Sequence, residues 1–326
     1  MKSYRVTLKS SGMITQLPDS QKIFGALITE LAKREGNEVA SMLTEAVLNR
    51  KMHLSLSNLF PFGYFPMPDE YVGYFWNRKK KTSNRNLKER RAAVKERSYI
   101  KWEDLDEVLQ DPERCTKLYP YVKKEEGRQL RASVESVSYG IESLETKLYT
   151  VPFLTVQEVR EQKEEKGRSI SEFYFYLQGD EGELLEYLLR LIAKWKKDEA
   201  TLILGKRSSQ GLNKYQISAL EAIELPCIET NYYLNLGMLL PDRIDFQKST
   251  LKLFTSERRP FAMAGGWDKS FQKRFISFID CGSIVTTVEG TECAGKCIPS
   301  PYHGNRDIVF GNAFLYPIDL KTGDEK

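Results

Sequence analysis

The chain opens on a period of two. In YRVTL, Tyr4, Val6 and Leu8 share one face while Arg5 and Thr7 take the other, the pattern of a half-buried strand. After SSGMITQLP the period lengthens: DSQKIFGALITELAKREG sets Ile23, Phe24, Leu27, Ile28 and Leu31 at helical spacing, with Asp19 or Ser20 placed to cap the first turn and Gly36 to close the last. EVASMLTEAVLN predicts a second helix, and a short strand follows at 53–57. From LFPFGYFPMPDEYVGYFW onward periodicity weakens and Pro, Gly and aromatics accumulate, so 60–150 reads as an insertion draped over a core. A strand and short helix at 98–109, and a protruding polar hairpin at 128–155 turning near Gly140, are expected within it.

Regular patterning returns at SEFYFYLQG, where Phe173, Phe175 and Leu177 alternate with Tyr174 and Tyr176. GDEGELLEYLLRLIAKWKKDEA follows with Leu184, Leu185, Leu188, Leu191, Ile192 and Trp195 on one helical face, acids at its start and lysines at its end, as the helix dipole favours. KYQISALEAI then predicts another strand. Residues 1–222 thus read as a split βαβ sandwich of ferredoxin-like type, an α+β fold interrupted by a long insertion. Residues 223–326 carry mostly strand signals (TNYYLNLGMLLP, LKLFTS, KRFISFIDCG, SIVTTVE, AFLYPIDL), with a turn at Gly265 and Gly266, and are expected to form a smaller, mostly β domain.

Composition narrows the class. With 41% hydrophobic and 29% charged residues in 326, the chain is that of a folded globular protein of about two domains. It lacks a run of ~18 apolar residues and an apolar leader near its first residues, so a cytoplasmic location without membrane contact is expected. Five scattered cysteines argue for reduced thiols rather than a disulfide framework. Cys293 and Cys297 with His303 offer three metal ligands but no fourth, and neither a metal nor a cofactor is expected.

Charge is uneven. RKKKTSNRNLKERRAAVKER, residues 78–97, holds ten Lys or Arg against Glu89 and Glu96, which leaves the rest of a +4 chain net negative by about four. Such a run is often a solvated helix face. Here Tyr71, Tyr74, Phe75 and Trp76 precede it and Tyr99 and Trp102 follow, and cations for phosphates beside aromatics for bases are how unpaired nucleic acid is held.

The sharpest local feature is LGKRSSQGLNKY at 204–215, where Gly205 and Gly211 frame Lys206, Arg207, Ser208 and Ser209. A nucleotide-binding P-loop is excluded, because Ala200 stands where the first glycine is needed and Arg207 where a Ser or Thr is needed. A dinucleotide fingerprint fails too, since this loop follows a helix and introduces a strand. What remains is an anion loop whose backbone, freed by glycine, faces a phosphodiester, or else a plain surface turn. Catalytic groups are sparse: His53 and His303 are the two histidines, and a metal-free cleavage site of His303 with Tyr302 and Lys296 has no supporting motif.

LPDSQKIFGALITEL, NLFPFGYFPMPDE, ERSYIKWEDL and a helix followed by LGKRSSQGLNKYQI together resemble the RAMP superfamily of CRISPR proteins, and more narrowly the subunit-four family of type III-A (Csm) effector complexes, relatives of the Cas-five subunits. AMAGGWDKSFQKRFISFIDCGSIV is similar to that family's C-terminal region. The resemblance implies two ferredoxin-like (RRM-like) domains, a non-catalytic role, and a grip on the 5′ handle of the crRNA. It implies contacts with the large Palm-domain subunit and a RAMP backbone subunit, and with target RNA indirectly. On this resemblance the RNA-binding role falls on Gly205, Lys206, Arg207, Ser208, Ser209, Gly211 and Lys214, with Ser20 and Lys22 as a second wall and Arg131 at the start of a wedging hairpin; an aromatic such as Tyr215 or Trp267 is expected to stack on a base. The hairpin reads ESVSYGIESLET, without the Asp-Arg pair common in relatives. A RAMP-type endoribonuclease using His303 or His53 as base is the alternative reading.

Overall fold

The computed structural model describes residues 1–78, 84–133, 147–161, 167–205, 210–257, 275–288, 293–301 and 307–320. In chain order the first part contains β1 (Lys2–Ser10), α1 (Ser20–Glu35), α2 (Asn37–Leu48), β2 (Leu54–Leu56), β3 (Phe60–Pro61), β4 (Tyr64–Pro66), α3 (Asp69–Arg78), α4 (Asn84–Glu96), β5 (Tyr99–Lys101) and α5 (Leu105–Gln110). The long pair β6 (Tyr121–Ser133) and β7 (Lys147–Val159) follows, then β8 (Arg168–Ser169), β9 (Glu172–Gly179), α6 (Glu183–Lys197), β10 (Thr201–Ile203) and β11 (Lys214–Ile223). The remaining strands are β12 (Tyr232–Asn235), β13 (Leu253–Glu257), β14 (Phe275–Ile279), β15 (Ile284–Thr286), β16 (Ile298–Pro299), β17 (Ile308–Val309) and β18 (Leu315–Pro317).

The main sheet runs β10-β11-β1-β9-β2, every neighbouring pair antiparallel, with β3 also on β9. The passages from β1 to β2 and from β9 to β10 go through helices, as the switch in hydrophobic period requires. Asp19 caps α1, accepting from the Lys22 amide at 3.0 Å, so of the two predicted caps it is Asp19 that serves. Gly36, at φ 95°, ends α1 and starts α2. Val6 lies opposite Phe175 and Leu8 opposite Phe173; these side chains are buried together with Leu27, Leu31, Leu188 and Ile192 of α1 and α6 in one apolar core.

The other face departs from the half-buried expectation. Tyr174 and Tyr176 are buried as completely as the Phe residues between which they alternate. The tyrosine ring is apolar and enters a core once its hydroxyl is matched: Tyr174 donates to the Tyr64 carbonyl at 2.8 Å and accepts from Trp102 Nε1 at 3.1 Å. Tyr176 stacks on Phe314, centroids 4.8 Å apart.

The cover comes from residues 60–102 and from the last strands. Where a loosely patterned insertion is expected over 60–150, strands between Tyr64 and Ser169 form a second antiparallel sheet, β4-β5-β6-β7-β8. Its β6–β7 hairpin keeps one register from Tyr121 opposite Val159 to Ser133 opposite Lys147; the tip that carries ESVSYGIESLET lies outside the described residues. Beyond β11 the sheet β15-β12-β18 and the hairpins β13-β14 and β16-β17 are antiparallel, as the strand-rich sequence predicts, while Gly265 and Gly266 lie outside the described residues. This region shares the main core through Leu234, Leu236, Ile284, Phe310, Phe314 and Ile318. Phe310 stacks on Phe24 of α1 at 4.3 Å, and a Cβ on Gly237 would sit 2.5 Å from the Leu56 carbonyl oxygen, so the two regions meet backbone to backbone there. The molecule is a mixed α+β protein of several antiparallel sheets.

Candidate nucleic-acid interface

One corner of the main sheet gathers residues with positive φ. Gly205 (144°) and Gly211 (78°) flank the turn from β10 to β11, Asn213 (58°) ends it, and Gly12 (107°) lies in the loop leaving β1. Glycine takes such angles without steric cost, and Asn is among the few side chains that tolerate them. The two loops are joined through Asn213, which is fully buried. Its Oδ1 accepts from the Thr15 amide at 2.8 Å, its Nδ2 donates to Thr15 Oγ1 at 2.9 Å, and its own amide donates to the Met13 carbonyl at 3.1 Å. Leu204 N–H in turn donates to the Asn213 carbonyl. Gly205 is needed for a second reason: a Cβ there would fall 2.9 Å from Asn213 Nδ2.

The long hairpin closes this corner. The Leu154 amide of β7 donates to the Ile14 carbonyl at 2.8 Å, and Arg131 of β6 reaches Gln210 Oε1 at 3.5 Å while its other donors hold Gln129 Oε1. No carboxylate among the described residues pairs with Arg131. Lys214 opens β11 beside the same loop, its carbonyl accepting from the Ser11 amide at 2.9 Å. Gly205, Gly211, Lys214 and Arg131 are therefore brought to one place, together with Gly12, Thr15, Gln210 and Asn213, which the sequence reading did not single out. Asn immediately before a strand and Gly in SSG were the available signals, both short-range preferences for positive φ.

Other expected residues fall elsewhere. Lys206, Arg207, Ser208, Ser209 and Trp267 lie outside the described residues, as do Tyr302 and His303 of the alternative site. Ser20 is a correction: it is fully buried, its amide donating to Asn58 Oδ1 and its hydroxyl accepting from the Met238 amide at 3.0 Å, so it ties α1 to the C-terminal region instead of facing a ligand. Lys22 stays partly exposed with Nζ 2.9 Å from Asp19 Oδ2. Tyr215 has no exposed face on which a base could stack, and burial pushes its hydroxyl pKa upward. His53 lies just before β2, partly buried, its amide donating to Asp180 Oδ2 and its Nε2 without a hydrogen-bond partner among the described residues; desolvation, partly offset by Asp180, lowers its pKa.

The aromatics around the basic run are also redistributed. Trp76 and Tyr99 are core residues, Trp102 and Tyr71 spend their polar atoms on Tyr174 and the Leu109 carbonyl, and of the flanking tyrosines and tryptophans only Tyr74 is largely exposed. Arg97, the last cation of the run, is buried against Tyr121 and Tyr119 at 4.3 and 5.2 Å and donates to the Ala93 carbonyl.

No helix of the described residues is long and apolar enough to cross a membrane, and no cluster of three metal-ligating side chains occurs among them. No protein-family model matches the chain, and no curated protein matches it by sequence. Solved structures do match in fold. One chain of the crystal structure of a Csm1-Csm4 cassette in complex with pppApA is 15% identical, with a TM-score of 0.57 over 99% of this chain and 100% of that one. The same cassette with cA4 gives the same values. One chain of a Csm3-Csm4 subcomplex in the type III-A CRISPR-Cas interference complex is 15% identical at a TM-score of 0.54, covering 98% and 100%. The likeness is one of fold.

Proposed function

We propose that this chain is a non-catalytic RNA-binding subunit of a type III CRISPR effector complex, which anchors the 5′ handle of the crRNA and links a large Palm-domain subunit to a RAMP backbone subunit. The observation that carries the reading is the convergence, at one corner of the main sheet, of two loops bent by positive-φ residues with Arg131 and Lys214. The most anion-suited segment of the sequence, Lys206 to Ser209, lies between Gly205 and Gly211 in the chain. Bent backbone beside cations that lack carboxylate partners among the described residues is suited to phosphodiester oxygens, which positions a strand without reading its sequence. The fold shared with chains of Csm1-Csm4 and Csm3-Csm4 assemblies supports the same assignment and the two kinds of protein partner.

The strand order β11-β1-β9-β2 supports a ferredoxin-like first domain over 1–222, with 223–326 as a smaller second one. Binding to about four phosphates gives a log–log salt slope near 3, at roughly 0.7 per phosphate of a single strand. The test is co-purification: Lys206→Ala with Arg207→Ala should leave the protein folded and reduce the crRNA it carries. Undiminished crRNA would remove the loop from the interface, and specific cleavage of repeat RNA in EDTA, abolished by His303→Ala, would replace the binding role with the endoribonuclease.

A further inference from the structure

We infer that the face shared by α3 and α4 is a second RNA-binding surface, built for an unpaired strand and independent of the glycine-rich corner. α4 is seated through Val94, with Arg97 buried just beyond its last residue. Lys88, Arg91 and Lys95, all exposed, then recur at three- and four-residue spacing and fall within about 60° of one another around the helix, spread over about 10 Å of its length. Glu89 and Glu96 lie roughly 80–160° away on the same helix geometry, and Glu96 is taken by the Tyr121 hydroxyl at 3.0 Å. The stripe is thus purely cationic over two turns.

α3 extends it. Asn77 Oδ1 accepts from Arg91 Nη2 at 2.8 Å, fixing that guanidinium against the neighbouring helix. Tyr74, three residues before Asn77, is 53% exposed, and the Arg78 guanidinium lies 5.7 Å from its ring centroid. A cationic stripe with one guanidinium fixed by α3, beside an exposed aromatic ring, matches the two chemical parts of an unpaired nucleotide, its phosphate and the face of its base. A duplex offers no base face to Tyr74, and an acidic protein segment would leave the ring without a role.

The experiment uses the full chain and a 5′-fluorescein-labelled U20 RNA, with binding followed by anisotropy from 50 to 300 mM KCl. Lys88→Gln, Arg91→Gln and Lys95→Gln together should lower the log–log salt slope by about 2, at roughly 0.7 per phosphate contact. Tyr74→Ala should weaken binding by about fivefold or more with the slope unchanged, since stacking is not ionic. In the Lys206→Ala, Arg207→Ala background U20 binding should persist at low salt and then vanish when the α4 substitutions are added. Unchanged slope and affinity in the triple variant would overturn the inference, as would binding abolished by the loop substitutions alone, or loss of poly-glutamate binding with U20 binding intact. Circular dichroism and thermal unfolding of each variant establish that the fold is retained; these positions are exposed, so it should be.

Discussion

The glycine-rich corner and the α3–α4 face, the two surfaces proposed above for RNA, are built by opposite means. At the corner the backbone is bent at Gly12, Gly205, Gly211 and Asn213, and the bend is held from beneath by a buried amide. On α4 the backbone is regular and the charge is placed by helical periodicity alone, the seat being supplied by Val94 and Arg97. A backbone-built surface is intolerant of an added methyl group and indifferent to small changes of helix propensity; a side-chain-built surface is the reverse. The corner is therefore where shape decides, and the helix is where charge decides.

The largest effect that would break this contrast sits at Asn213. Asn213→Ala leaves the Thr15 amide unpaired and puts Ala at φ 58°, which together should cost about 2–4 kcal/mol in urea-induced unfolding. Asn213→Gly keeps the angle and loses only the staple, so it should recover about 1 kcal/mol of that. Equal losses in the two variants would show that the backbone angle is not what Asn213 supplies.

A smaller, paired measurement sharpens the comparison. Nothing lies within 4 Å of a Cβ placed on Gly211, so Gly211→Ala tests φ 78° by itself and should destabilise by about 1–2 kcal/mol. On α4 the reverse exchange, Ala92→Gly at an exposed mid-helix position, should destabilise by about 0.5–1 kcal/mol. A stabilising Gly211→Ala would end the claim that shape decides at the corner.

The smallest effect separates folding from binding. Desolvation depresses the His53 pKa in the folded state, so the unfolded chain binds more protons once the pH falls toward the ordinary histidine value. Stability from this group is present above that value and lost as pH falls through the lower folded one. Thermal unfolding between pH 7.5 and 5.5 should show a drop in Tm that His53→Gln reduces. RNA affinity at both surfaces should hold steady over the same range, because Lys and Arg keep their charge there.

Much of this architecture is legible along the chain. The 3.6-residue period of α1 and α6, the Asp19 cap, and the alternation of β1 and β9 dictate helices and strands from nearest neighbours alone, because backbone hydrogen bonding and side-chain direction repeat with the element. The loop before β11 is legible for a similar reason, glycine and asparagine being local signals for positive φ. Between β3 and β9 the hairpin and the strand and helix near 98–109 are legible, but their union in one sheet is not: β4 and β5 are three residues each and pair with segments well separated in sequence. Tyr174, Trp76, Trp102 and Ser20 illustrate the limit. Each is drawn into packing or hydrogen bonding by residues far away in sequence: Tyr174 by Tyr64, Trp76 by the core beneath α3, Trp102 by Tyr174 and Ser20 by Met238.

The sequence by itself determined the elements, the cationic run and the loop chemistry, since those depend on spacing and composition. Which aromatics and hydroxyls remain free to meet a ligand, and that Asn213 binds two loops into one frame, only the tertiary structure decided. A side chain's availability depends on packing across distances that no local pattern encodes.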